Sequence, residues 1–273
     1  MICALGLALA FTHAGAQSAG AVHIAFEQEY GDEADVQVAD AWLPLSLCKH
    51  PAVILIHGGG WYGGERAALW PEATRLSAQG YAVFAIDYTL SGKDAPSFPK
   101  ALDDVATAVR WVKGHRGVDG DKVVLLGESA GGHLALLYAY LYRDVAAVIT
   151  VGAPADLAAY VASSQFSRQQ VVRFLGQLSE EALWAASPGS YANAACPPVL
   201  MLHGGADAVV APAVAERFRD ELEAAGSPHR VWILPGADHL FQIEPYRRWR
   251  DEAVDTFIAY VLNCIEVDVP VRS

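Results

Sequence analysis

Six short apolar runs, at residues 52–56, 81–86, 122–126, 146–151, 198–202 and 230–234, constrain this chain more than any other feature. Most are apolar at consecutive positions instead of alternating, which leaves neither side of a strand for water. Strands of that kind belong in a parallel sheet with helices over both faces. Helix-like segments lie between the runs, as such a sheet requires. In 99–113, Ala101, Val105, Ala108, Val109 and Val112 recur at three- and four-residue steps, while Lys100, Asp103, Asp104 and Arg110 mark a solvated face. Pro212 and Gly226 bracket a second helix through Phe218 and Leu222, and 246–262 reads as a closing helix. Two earlier segments, 22–27 and 35–42, alternate more and predict an antiparallel pair at the sheet edge. The rhythm predicts one α/β domain over 17–273. Between the fourth and fifth runs, residues 152–197 form a mixed stretch of about 45 residues, longer than a crossover helix needs, which predicts a modest cap or pocket-lining insertion.

The N-terminus carries a separate signal. Residues 2–11 are apolar and Ala14-Gly15-Ala16 follows, which matches the apolar region and cleavage site of an export signal over 1–16, although the usual opening basic residues are missing. The expected location is secreted or periplasmic. Cleavage would remove Cys3 and leave Cys48, Cys196 and Cys264, enough for one disulfide and one free thiol with the pairing open. No CxxC pair is present, so a structural zinc site is not expected, and nothing in the chain calls for a metal or an organic cofactor.

Charge narrows the partners. With 31 acidic and 19 basic residues the formal net charge is −12, which repels nucleic-acid backbones and anionic lipid surfaces. Neither nucleic acid nor membrane is an expected partner. If the binding pocket shares this balance, neutral substrates are expected to be favoured over anionic ones.

The strongest local pattern is Gly127-Glu128-Ser129-Ala130-Gly131, which follows the run at 122–126 and precedes a helix-like segment at 132–142. G-x-S-x-G in that setting predicts a strained turn that lifts a nucleophilic serine above the sheet, with small neighbours allowing close backbone packing. No lysine follows a glycine-rich turn in P-loop register and no G-x-G-x-x-G fingerprint opens a helix, so nucleotide binding is not expected. His57-Gly58-Gly59-Gly60-Trp61 follows the run at 52–56. Such a glycine-rich turn can aim backbone N–H groups at a developing oxyanion, and the expected donors are Gly59, Gly60 and Ala130. His57 itself reads as a group that holds the loop.

A serine nucleophile needs a base and an acid. In chain order Ser129 is followed by Asp207, after the run at 198–202, and by His239, after the run at 230–234. That is the order expected of a serine, acid, histidine series at the carboxyl edge of such a sheet. Asp207 would fix the imidazole tautomer and His239 would shuttle the proton. Asp238 is a rival acid, disfavoured because adjacent residues rarely present their side chains to each other. His133 and His203 lie near the same strand ends, where they could support the catalytic groups, with loop packing the favoured reading, and Glu128 reads as an ion-pair partner beneath the turn. Trp61, Tyr62 and Tyr88 are candidates to face the substrate, with ordinary aromatic packing as the alternative.

Together these motifs resemble the α/β-hydrolase fold. The chain is most similar to small carboxylesterases that deacetylate xylan or cleave feruloyl esters, through HGGGWYGG at 57–64, DYTL at 87–90, GESAGGHLA at 127–135, Ser187-Pro188 with Tyr191, and Asp207 with Val210. Hormone-sensitive-lipase-like esterases share the HGGG and SAGG elements but usually carry a longer N-terminal helical cap. Glu128, and Ala211 where a proline often stands, depart from the xylan-ester pattern. The resemblance implies a serine esterase acting on a small-molecule or polysaccharide-linked ester. An arylformamidase-like amide hydrolase is the runner-up, and a non-catalytic binding protein on the same scaffold is the rival from another class.

Overall fold

The computed structural model describes residues 21–263. The export signal expected over 1–16, Cys3 and Cys264 lie outside the described residues. One eight-stranded sheet forms the centre, with strand order β1-β2-β4-β3-β5-β6-β7-β8. Its strands are β1 (Val22–Glu29), β2 (Val38–Pro44), β3 (His50–Ile56), β4 (Ala82–Ile86), β5 (Val118–Glu128), β6 (Ala147–Val151), β7 (Val199–Gly204) and β8 (His229–Leu234). β1 pairs antiparallel with β2, and β2 antiparallel with β4; every other neighbour is parallel. The alternating segments thus form the antiparallel edge and the apolar runs form the parallel body, as expected.

Burial on two faces explains the continuous runs. Along β3, Ile54 and Ile56 pack into one core layer and Val53 and Leu55 into the other, because successive side chains of a strand point to opposite faces. Helices α2 (Lys100–Gly114), α3 (Ala130–Tyr142) and α7 (Pro212–Ala224) supply apolar side chains to the first layer. The second is covered by α1 (Trp70–Ser77) and α8 (Tyr246–Asn263), through Ala73, Leu76, Val254 and Ile258. β5 begins four residues before the apolar run it contains. Its first residue, Val118, pairs with His50 across a register shift, and the polar residues 119–122 conceal that start in the sequence.

Residues between β6 and β7 fold into three short helices, α4 (Leu157–Ser163), α5 (Gln165–Leu175) and α6 (Glu180–Ala186), and a 3-10 turn at Pro188–Tyr191. Each helix starts on a polar cap: the side chains of Asp156, Ser164 and Ser179 accept from the N–H groups of Ala159, Ser167 and Ala182, satisfying donors that the first helical turn leaves free. α5 stops at Gly176, whose φ of +78° is the left-handed conformation that ends a helix. On its inner face Phe174 stacks on Trp61 at 4.6 Å between ring centres. The expected insertion is therefore helical, and α5 docks on the glycine-rich loop that follows β3.

Candidate active site

The parallel body brings the loops after β3, β5, β6, β7 and β8 to one edge of the sheet, the edge where α/β folds bind ligands. Ser129 sits between β5 and α3 with φ 49° and ψ −117°, a conformation that costs a non-glycine residue energy and persists only when its surroundings impose it. They do so closely. A Cβ on Gly131 would run into the carbonyl oxygens of Ile56 and His57, and one on Gly127 into the backbone of Gly131 and Gly132. A Cβ on Gly58 would stand 3.1 Å from the Ser129 Cβ. The small residues of both motifs are thus what lets the serine turn and the loop after β3 touch.

His239 bridges the serine and an acid. Its Nε2 lies 3.1 Å from Ser129 Oγ and its Nδ1 lies 2.6 Å from Asp207 Oδ2. The other carboxylate oxygen of Asp207 accepts the N–H groups of Val209 and Val210 at 2.8 and 2.9 Å. Burial alone would raise the Asp207 pKa; the bond from His239 and these two N–H groups outweigh it and hold the carboxyl below its ordinary value. Asp238 is occupied elsewhere, accepting the N–H of Gln242 at 2.8 Å. Of the two candidate acids, geometry brings only Asp207 to the imidazole.

Two further residues adjoin this trio: His203, for which the sequence favours loop packing over a supporting role, and Gly152, which sequence reasoning does not single out. His203 is wholly buried; its Nε2 lies 2.9 Å from the Val210 carbonyl and 3.4 Å from Asp207 Oδ2, behind the carboxylate. Burial lowers its pKa, which keeps the ring neutral there. Gly152, just past β6, has φ +63°, and a Cβ on it would stand 2.9 Å from the His239 ring. It leaves the space the imidazole occupies. Its position directly after an apolar run, like Ser129 after β5, was the signal available in the sequence.

The loop after β3 is held from below. His57 Nδ1 is 2.7 Å from the Gly58 carbonyl, its ring stacks on Tyr88 at 4.4 Å, and the Tyr88 hydroxyl donates to the His57 carbonyl at 2.9 Å. Gly59 and Gly60 take φ values of +118° and +60°, and the Gly59 carbonyl accepts the N–H groups of Tyr62 and Gly63. Among the described residues the N–H groups of Gly59 and Gly60 have no acceptor. Ala130 opens α3, where a helix leaves its N–H groups without internal partners. All three expected oxyanion donors are available to a ligand in this sense.

Two of the expected substrate-facing aromatics are enclosed instead. Trp61 has no exposed surface; it stacks on Phe174 and donates from Nε1 to His133 Nδ1 at 3.3 Å. Because that bond makes Nδ1 an acceptor, His133 Nε2 carries the proton and donates to the Ala186 carbonyl at 2.7 Å. Burial lowers the His133 pKa to about 4. Tyr88 is 2% exposed and committed to His57. Tyr62 alone of the three reaches the surface, 39% exposed, with the Arg173 guanidinium 4.5 Å over its ring.

Residues 40–222, two thirds of the chain, match the BD-FAE family model. The chain belongs to the BD-FAE family. Among curated relatives of this BD-FAE member, Esterase LipC of Mycobacterium tuberculosis is 30% identical over 240 residues, covering 78% of this chain and 59% of LipC. Esterase LipQ of the same organism is 27% identical, covering 85% of this chain and 61% of LipQ. The chain thus spans about three fifths of the length of these relatives. Esterase B of Lactobacillus rhamnosis superposes with a TM-score of 0.75 at 23% identity, covering 87% of each chain. Thermogutta terrifontis esterase 2 does so with 0.75 at 21% identity, covering 93% of this chain and 99% of that one. A truncated carbohydrate esterase from gut microbiota superposes with 0.74 at 21%, covering 88% and 98%. The fold is the α/β-hydrolase fold.

Charged groups brace the site of this BD-FAE member from outside. Arg66 lies 3.0 Å from buried Asp40, and its N–H donates to Asp87 at 2.7 Å, tying the segment after the glycine loop to β2 and to the end of β4. Arg250 on α8 donates to the Leu240 carbonyl at 3.3 Å and lies 3.8 Å from Glu128, so it touches the neighbours of both His239 and Ser129. Burial raises the Glu128 pKa, partly offset by Arg250. Glu128 is an ion-pair partner beneath the turn, as its position suggested. Among the described residues no group of three or more His, Cys, Asp or Glu side chains is placed to hold a metal ion.

Proposed function

We propose that this BD-FAE member is a serine carboxylesterase for short acyl or aromatic esters, acting through an acyl-enzyme on Ser129. The observation that carries the reading is the unbroken chain Ser129 Oγ, His239, Asp207 at 3.1 and 2.6 Å. The esterase names of LipC and LipQ support the same class. Ser129 Oγ attacks the ester carbonyl while His239 Nε2 takes its proton, and Asp207 stabilises the imidazolium. The N–H groups of Gly59, Gly60 and Ala130 stabilise the oxyanion. Collapse expels the alcohol, which receives the proton from His239. Water, deprotonated by the same imidazole, then attacks the acyl-enzyme and releases the acid and free Ser129.

Acetyl or feruloyl groups on plant polysaccharide are the proposed natural esters, a reading favoured by the sequence resemblance to xylan-deacetylating and feruloyl-cleaving enzymes, and the apolar N-terminus favours action outside the cytoplasm. Hydrolysis of p-nitrophenyl acetate, acetylated xylan and methyl ferulate by the protein and by Ser129→Ala tests this. Turnover of at least one ester, lost in the variant, is expected. Full activity in Ser129→Ala, or activity confined to formyl amides, overturns it.

A further inference from the structure

We propose a carboxylate-binding subsite for the sugar portion of the substrate, in the groove between α5 and the loop at 91–96. It rests on the esterase reading and extends it to the leaving group. The groove encloses about 890 Å³ and is lined by Lys93, Arg168 and Arg173 together with Gln165, Gln169 and Asp94. Among the described residues none of its three cations lies within ion-pair distance of a carboxylate; Lys49, Arg110, Arg116, Lys122, Arg143, Arg230 and Arg248 are also outside the ion pairs, and what distinguishes these three is that they line one groove. In a chain where acidic residues outnumber basic ones 31 to 19, three cations against the single carboxylate of Asp94 in one groove leave a local positive balance that an anion would satisfy.

Position ties the groove to the chemistry. Arg173 is anchored by its Nε to the carbonyls of Ser91 and Gly92 at 3.2 and 3.0 Å, and its guanidinium covers Tyr62. Tyr62 is two residues from Gly60, and Gln170, on the inner face of α5, is the nearest side chain to Gly60. Arg173 is the link between the groove and the chemistry, since it lines the groove and covers Tyr62 beside the loop that carries the oxyanion donors. The first turn of α5, capped by Ser164, adds the positive end of an eleven-residue helix to the same field. Two glutamine amides and three cations suit a hydroxylated anionic group, and the open volume suits a saccharide better than a short acyl chain. The chemistry that fits is an acetylated oligosaccharide bearing a uronic-acid carboxylate, a preference opposite to the one the net charge of −12 suggests.

The test compares two acetylated oligosaccharides that differ only in whether the uronate carboxylate is intact or reduced to a primary alcohol. The protein is expected to favour the uronate form by about tenfold in kcat/KM at low ionic strength, and the ratio to fall toward one near about 0.5 M NaCl. K93Q/R168Q should abolish the ratio while p-nitrophenyl acetate, which has no group to reach the groove, reports an intact fold. Calorimetric titration with the unacetylated uronate oligosaccharide, and with its reduced form, separates the subsite from the chemistry. Binding of the uronate form by the protein and its loss in K93Q/R168Q supports the subsite even if no ester is turned over. Equal handling of both forms, or a uronate preference that survives K93Q/R168Q, overturns the proposal.

Discussion

At the scale of single residues, the site depends on which carboxylate reaches His239. Asp207 does so at 2.6 Å and Asp238 is bonded to Gln242. Asp207→Asn is therefore expected to lower kcat by about 10³- to 10⁴-fold, and Asp238→Asn to change it by no more than about twofold. Steady-state rates on one p-nitrophenyl ester check both, and comparable losses would contradict the assignment. Gly152→Ala is a second probe, because its Cβ would stand 2.5 Å from the His239 carbonyl oxygen and 2.9 Å from the imidazole, at a backbone conformation L-residues avoid. A loss of about 10²-fold in kcat, with a stability loss exceeding the ~1–2 kcal/mol of the left-handed conformation alone, is expected, read by kinetics and by denaturant titration of the same variant. The serine, acid and histidine were legible in the sequence because each follows an apolar run, in the order such a sheet requires. Trp61 and Tyr88 were not, since residue type says nothing of direction. Only the positive φ of Trp61 and the packing of Phe174 show that the indole points inward.

At the scale of elements, α5 is the part whose role sequence pattern left open. Residues 152–197 carry no single periodicity because three short helices with separate caps share the stretch, and each is too brief to print a long repeat. What joins α5 to the site is Phe174 on Trp61. Phe174→Ala should cost about 3–5 kcal/mol of stability and speed hydrogen exchange at the amides of Tyr62 and Gly63, which donate to the Gly59 carbonyl, because the loop loses the surface it rests on. Unchanged exchange there would mean that α5 does not hold the loop. The inner strands were legible to within about two residues, because burial on two faces demands consecutive apolar positions, while the edge strand expected over 35–42 runs from Val38 to Pro44. β5 also starts earlier than its apolar run, held there by pairing with β3 and not by apolar side chains.

At the scale of the molecule, burial of neutral imidazoles couples stability to pH. His57, His133 and His203 are all buried, and burial lowers the pKa of each below the ordinary 6.5, to about 4 for His133. Below 6.5 the unfolded chain binds protons at these positions that the folded protein does not, so their contribution is intact above 6.5 and is lost as pH falls toward the folded values. Asp207, held below its ordinary value, works in the same direction at lower pH. Glu128 and Glu221, raised by burial, work in the opposite direction in the carboxylate range. The guanidinium midpoint at about pH 5.5 should therefore lie below that at about pH 7.5. Equal midpoints would show that the three imidazoles gain protons in the folded state.

The central claim is that Ser129 is an activated nucleophile, and covalent capture tests it most directly. A fluorophosphonate probe should label the folded protein once, peptide mass spectrometry should place the adduct on Ser129, and Ser129→Ala should abolish both labelling and ester turnover. A folded protein that stays unlabelled, or an adduct at another residue with turnover intact in Ser129→Ala, would contradict the account.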